Sequence, residues 1–373
     1  VLPRHIMKSS LLNIFLVVFI DLLGFGIIIP ILPYYAESFG ASAFTLGLLL
    51  VCYSGMQFIF APYWGNISDR IGRRKVLMLC ITGMTFSLFI LGFANSLLWL
   101  FVGRLLAGLF GANISVASAY VADITMVENR AKGMGIIGAA IGMGFLFGPA
   151  VGGVLSKWGY GTAAFAAAGL SVLNLVFAAF KLQDVKVAVE ERAKHRNQFT
   201  WKLWWKTVQT PKTGLAVWLS FFVSMAHAQM ETILAFFLLS RFDIAAMQAG
   251  FIMAFMAVFM VAIQGGGIGP LVKKFGEVKI IAMGMLVAAI TIAASGPSAT
   301  VYTLVTFLTL YAIGYGVLNP TLMGLISCHS SAAEQGVTMG VYRSAASFAR
   351  IIAPLLAGLL YDVVSIDAPF YSA

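Results

Sequence analysis

Asp21 is the first residue in this chain whose position implies chemistry. The nearest charges, Lys8 and Glu37, are more than twelve residues away, and everything between is largely apolar. An ionisable group inside an apolar run costs roughly 3 kcal/mol if the run lies in lipid, so it is a functional candidate. Two readings fit: a proton carrier that loads and releases as water access alternates, or one half of a static ion pair. Arg104, a second charge inside an apolar run, is read as its modulator. His227 and Glu231 are four residues apart in "SMAHAQMETILAFF" and share one helix face, while Gln229 points elsewhere. They form a second candidate proton or substrate site, with a plain interhelical hydrogen-bond pair as the alternative. Arg343 and Arg350 flank the start of a later apolar run, where they bind an anionic group or lipid, or snorkel to the interface. Tyr53, Gln57, Asn113, Tyr311, Tyr315 and Asn319 are polar or aromatic residues inside apolar runs and are candidates to line a substrate cavity. No ligand set has metal spacing, and Cys52, Cys80 and Cys328 read as small apolar residues.

The elements that must carry these residues are set by composition. Sixty per cent of the chain is apolar and 10% is charged, with mean hydropathy +0.94. A soluble domain carries about 25% charged residues, so the solvent here is lipid. The apolar runs are long and continuous rather than alternating, which indicates helices and not a barrel. Spans are expected at 10–32, 44–66, 76–95, 97–122, 133–156, 160–181, 213–240, 246–270, 278–297, 299–325 and 337–361. With the N-terminus in the cytoplasm, nineteen of the 24 Lys and Arg fall on the cytoplasmic side and only Lys157 and Arg241 on the other. The positive-inside rule fixes that orientation. It also accounts for the net charge of +10 without a nucleic-acid partner. Between the sixth and seventh spans, Trp201, Trp204 and Trp205 with Lys202 and Lys206 suggest a segment lying in the interface. The "GMGIIG" at 133–138 is no dinucleotide loop, since no strand precedes it. With Gly142, Gly144, Gly148 and Gly152 it makes small-residue helix faces, and Pro149 should bend that helix.

The densest charge lies in "GNISDRIGRRK" at 65–75, one acid among four cations between two apolar runs. The cations anchor a loop at the cytoplasmic face. Gly65 and Gly72 permit close approach and a tight turn. Asp69 can cap a helix or pair with a neighbouring Arg, and Asp123 is another acid within reach. The pattern recurs. "GNISDRIG" aligns with "GPLVKKFG" (269–276) at an offset of 204, and "GPAVGG" (148–153) with "APLLAG" (353–358) at 205. Parallel repeats of six spans are a transporter signature. The repeat expects a twelfth span near 365–386, which the 373 residues do not contain.

"GNISDRIGRRK" resembles the signature loop of the major facilitator superfamily, Gly-x-x-x-Asp-Arg-x-Gly-Arg-Arg/Lys between the second and third spans. "GRLLAGLFGA" resembles its Arg-x-x-x-Gly motif. "GFLFGPAVGG", with Gly148, Pro149, Gly152 and Gly153, resembles the Gly-Pro-x-x-Gly-Gly motif of proton-coupled antiporters, and "DLLGFGIIIPILP" resembles the drug/proton antiporter branch. The resemblance implies an all-α polytopic protein of two six-helix bundles related by a pseudo-twofold. The expected division is an N-terminal bundle over 1–185, a linker over 186–212 and a C-terminal bundle over 213–373. It implies a latch built from Gly65, Asp69, Arg70, Gly72, Arg73 and Asp123 that holds the outward-facing state, and it favours Asp21 as proton carrier. The second copy has Lys273 where the first has Asp69, so such a latch is asymmetric. The expected function is proton-coupled export of a small amphipathic compound by alternating access. The partners are a small-molecule substrate, protons and membrane lipid. The protein is expected as a monomer in the inner (plasma) membrane, with no cofactor beyond the proton gradient and no enzymatic activity. An importer or uniporter, or a non-transporting membrane binding protein, are the other classes. Arg343 and Arg350 speak against a purely cationic substrate.

Overall fold

The computed structural model describes residues 4–111, 113–125, 130–183, 205, 208–329 and 335–373. All regular structure among them is helical. That follows from the solvent: in lipid every backbone N–H and C=O must be satisfied within its own segment. The first half runs α1 (Arg4–Ile28), α2 (Leu32–Glu37), α3 (Ala43–Ile71), α4 (Arg73–Gly92), α5 (Leu97–Phe110), α6 (Asn113–Ile124), α7 (Arg130–Leu155) and α8 (Tyr160–Lys181). The second runs α9 (Pro211–Phe242), α10 (Ala246–Ala262), α11 (Ile268–Phe275), α12 (Glu277–Ser295), α13 (Val301–His329), α14 (Gln335–Val363) and α15 (Ala368–Ser372). Among the described residues, ten segments are long and apolar enough to cross a membrane. The expected span at 246–270 is α10, a π turn over Ile263–Gly267, and α11. The interfacial reading of 201–206 falls outside the described residues except for Trp205, and so does the side chain of Cys328.

The expected loop at 65–75 is a correction. Residues 65–71 are the last turns of α3, and Gly72 alone separates α3 from α4. Its φ of 104° is open to glycine and strained for other residues. The second copy does the same with Gly276, at φ 80°, between α11 and α12. Gly65 makes no close approach, since a Cβ there would meet nothing within 4 Å. Local composition suggested a broken segment, but one positive-φ glycine is sufficient to turn the chain.

By their contacts the residues form two units: 1–40, 52–196 and 245–254 in one, and 41–51, 197–244 and 255–373 in the other. In the first, α1 packs mainly on α7 and α8, and α4 on α5 and α8. In the second, α9 packs on α14 and α12 on α13. The α1–α7 pairing thus recurs as α9–α14, and α4–α5 as α12–α13, as a repeat requires. The α1–α7 seam depends on glycine. A Cβ on Gly148 would lie 2.6 Å from the Cα of Gly26, and one on Gly144 2.7 Å from the Cβ of Leu22. Pro149 stays inside α7 without ending it.

The second unit contains a cap formed across the sequence. The Asp362 carboxylate near the end of α14 accepts the N–H groups of Ala43 (3.2 Å) and Phe44 (2.9 Å), the first residues of α3. Ser42 Oγ accepts the N–H of Thr45 at 3.3 Å. A carboxylate on these unpaired donors also complements the helix dipole. Gly358 and Gly47 let the helices approach there, since a Cβ on either would clash with backbone of Ala43 or Pro354.

The glycine seam is testable on one helix. Gly148→Ala should destabilise the purified protein by about 1–3 kcal/mol through overpacking. Gly138→Ala on the same helix has open space around its Cβ. It should be neutral or stabilising by up to about 1 kcal/mol through helix propensity. Thermal unfolding in one detergent reads both; equal loss in the two variants contradicts the packing account.

Candidate functional site

Asp21 is held by an amide. Asn113 opens α6, and its Nδ2 donates to Asp21 Oδ2 at 2.9 Å. Asp21 Oδ1 and Asn113 Oδ1 are both buried without a hydrogen-bond partner. A proton on Asp21 would turn an orphan acceptor into a donor. Arg104 is not the partner: among the described residues, no hydrogen bond or ion pair reaches Asp21 from it. Its guanidinium carbon lies 4.3 Å from the Tyr53 ring centroid and 6.0 Å from that of Phe25. Phe25 and Tyr53 are stacked at 5.1 Å. A desolvated cation–π contact is worth about 2 kcal/mol, enough to offset much of the cost of keeping Arg104 4% exposed. Gln57 Nε2 donates to Gly111 O at 2.6 Å and to Tyr53 Oη at 3.3 Å. Tyr53, Gln57 and Asn113, expected as cavity lining, therefore form the polar frame around the two charges.

At the α3–α4 turn one guanidinium engages three groups. Arg73 donates from Nη1 to Ser68 Oγ at 2.5 Å, pairs through Nη2 with Asp69 at 2.6 Å, and reaches Asp123 Oδ2 through Nε at 3.0 Å. Ser68 Oγ donates in turn to Gly65 O at 2.7 Å. The structure joins Asp69, Arg73 and Asp123, as the family resemblance implies. Arg70 stays outside, exposed and without a hydrogen bond or ion pair among the described residues. Ser68 was not among the expected residues. Its position between Gly65 and Asp69 is the only sequence signal it offers.

In the second unit His227 does not bond Glu231. His227 Nδ1 and Tyr311 Oη are 3.2 Å apart. The His227 ring lies parallel to that of Tyr315, at 4.0 Å and 10°. Glu231 is half-buried on α9, and Arg350 is exposed on α14. Tyr311 and Tyr315 also border a cavity of about 110 Å³ with Ala226, Ala288, Ile292 and Leu318. Asn319 Oδ1 accepts from Tyr342 Oη at 2.6 Å, while Arg343 is exposed. Among the described residues no group of His, Cys, Asp and Glu could hold a metal ion.

With that geometry in place, comparison with known proteins decides the family. A family model of the Major Facilitator Superfamily matches residues 14–268 and 267–373. The chain belongs to the Major Facilitator Superfamily. It is a multi-pass membrane transporter of that kind. It is 31% identical over 364 residues to the tetracycline resistance protein, class E, of Escherichia coli, covering 95% of this chain and 89% of that one. It is 28% identical over 360 residues to multidrug resistance protein 2 of Bacillus subtilis, with the same coverage. Its fold matches the crystal structure of the human organic anion transporter MFSD10 (TETRAN) at a TM-score of 0.74, with 24% identity over 100% of this chain and 97% of that one.

Within the facilitator fold, the Gly-Pro stretch of α7 serves two packings. Gly148 and Gly152 meet Gly26 and Ile27 of α1, and Gly153 meets Ala246 and Met247 of α10. Sequence reasoning missed Asn113 as the partner of Asp21, and it missed Asp362.

The Arg73 hub predicts unequal losses. Arg73 and Asp123 side chains are 9% and 15% exposed, and Asp69 is 44% exposed. Arg73→Gln leaves Asp123 largely buried and should cost about 3 kcal/mol. Asp69→Asn should cost less than about 1 kcal/mol. Chemical unfolding of the two variants tests the ranking.

Proposed function

We propose that the chain is a proton-coupled exporter of small amphipathic organic compounds, working by alternating access in the plasma membrane with its N-terminus in the cytoplasm. The observation that carries the reading is Asp21: a carboxylate within a crossing helix, one oxygen held by an amide and the other buried without a donor. Such a group has a place for one proton and no counter-ion that would hold it permanently charged. The tetracycline and multidrug resistance relatives support efflux over uptake. Transport proceeds by rocking of residues 1–185 against 213–373, with 186–212 as the linker. Arg104 tunes the field at Asp21, and the Asp69–Arg73–Asp123 cluster acts as the latch of one end state.

Two measurements test this. In proteoliposomes with an imposed pH gradient, wild type should accumulate a tetracycline probe. Asp21→Asn, which keeps an acceptor for Asn113 but carries no exchangeable acidic proton, should lose the gradient response while retaining binding. Identical responses would remove the proton assignment. For the latch, spin-label distances between the two halves should redistribute in Asp69→Asn, and an unchanged distribution would exclude it.

A further inference from the structure

Two buried oxygens in the first unit lack a donor, and they belong to side chains already bonded to each other. Asn113 Nδ2 donates to Asp21 Oδ2 at 2.9 Å. The second oxygen of each, Asp21 Oδ1 and Asn113 Oδ1, is shut off from solvent and has no hydrogen-bond partner among the described residues. Asn113 as a whole is 5% exposed. A buried acceptor without a donor costs about 1–3 kcal/mol. Two of them beside one hydrogen bond call for a common cause.

A single proton satisfies both. A carboxyl and a carboxamide are planar forks of similar span. With one arm of each joined, the free arms can meet as the second rung of a closed ring. While Asp21 is ionised both free arms are acceptors and repel. A proton taken from water forms an O–H bond at Asp21 Oδ1, and that group donates to Asn113 Oδ1. The Nδ2–Oδ2 bond is kept. The pair passes from one hydrogen bond and one negative charge to two hydrogen bonds and no charge, and Asn113 itself neither gains nor loses a proton.

The helices around Asp21 hold their other ionisable groups at a distance. Gly144 against Leu22 sets the register of α7 on α1, and the Asn174 Nδ2 bond to Val17 O (2.9 Å) sets that of α8. Tyr120 and Asp123 on α6, Arg130 and Lys132 on α7, and Tyr160 and Lys181 on α8 are then about two turns or more from the level of Asp21. That is a separation of roughly 10 Å or more along each helix. Lys8 on α1 is farther still. Arg104 on α5 lies over the Tyr53 and Phe25 rings, and the buried Cys80 on α4 is a weak acceptor.

We infer that Asn113 is the second holder of the coupling proton, closing a cyclic acid–amide pair with Asp21 that clips α6 to α1. Loss of the proton opens one rung and leaves the two helices tied by the Nδ2–Oδ2 bond alone. Asn113 is thus a positioning residue for the proton. The inference rests on the exporter reading for calling this proton the coupling ion; the pairing itself needs no gradient.

Infrared difference spectra, acid minus alkaline, test it on the full chain in nanodiscs without substrate, with asparagine carrying carbon-13 in its side-chain amide. Wild type should show a carboxylic C=O band together with a shift of the labelled amide band, and Asp21→Asn should lose both. Asn113→Leu should move the acid band to higher wavenumber, where an unbonded C=O absorbs, and remove the amide shift. Sodium added at the acid pH should leave the acid band in place. The inference is overturned if wild type shows no acid band, if that band appears with no amide shift, if Asn113→Leu leaves it unmoved, or if sodium erases it, which would make the two oxygens a metal-ion site. The amide shift is read on wild type, so it decides even where Asn113→Leu does not fold. A paired acid with no gradient-driven transport leaves the pair standing and removes the exporter reading. Transport that Asp21→Asn abolishes, with no amide shift in wild type, does the reverse.

Discussion

Every polar group that this chain carries through the membrane must find its partner in the protein. Water cannot supply one, and an unmatched charge or backbone group costs several times more in lipid than at an ordinary surface. That constraint arranges most of the structure. It makes the backbone helical, and it gives Asp21 an amide and Arg104 the faces of two aromatic rings. It loads the three nitrogen positions of Arg73 separately. It also brings a carboxylate from position 362 to the first turn of a helix that starts at position 43. Of these devices, only the Arg73 cluster uses ion pairs, to Asp69 and to Asp123. Asp21 and Arg104 are instead held by neutral or polarisable partners.

Glycine answers the same constraint in a different way. Helices in lipid gain little from apolar burial and depend on close packing. Gly148 against Gly26 and Gly153 against Met247 bring backbones nearly into contact, and Gly358 against Phe44 does the same in the second unit. Close approach also places side chains within reach across helices. Asn113 can bond Asp21 only if α6 and α1 lie near each other, and Asp362 can cap α3 only where Gly358 and Gly47 remove the intervening Cβ atoms.

What the sequence disclosed follows the same division. Helices, their number and the repeat were legible because each is written in runs of tens of residues. Asp21 and Arg104 were legible because a lone charge in an apolar run is conspicuous. Their partners were not, because Asn113 lies 92 positions from Asp21 and an asparagine in a helix carries no periodic signal. Asp362 was invisible for a stronger reason: its partners are backbone N–H groups, which every sequence has. At 65–75 the reading failed locally. Gly, Asn and Ser there imply a loop, yet α3 continues to Ile71 because the Asp69–Arg73 pair and the Ser68 bond support its last turn.

The two halves share backbone devices and differ in charge. Gly72 and Gly276 turn the chain alike, and Gly40 and Asp243 occupy positive φ at nearly corresponding places, 77° and 53°. Asp69 faces Lys273 across the repeat, and Asp362 faces Lys157. Packing geometry must be kept in both copies because each bundle depends on it for stability. A charge needs only a local partner, so it can be changed in one copy without disturbing the other. The first unit thus holds Asp21 against an amide and Arg104 against aromatic rings, while Arg73 is paired with two carboxylates. The second stacks the His227 ring on Tyr315 and sets the Asp362 carboxylate on the first turn of α3. One repeat therefore yields two arrangements: a carboxylate held by an amide in the first half, and an imidazole stacked on a tyrosine in the second.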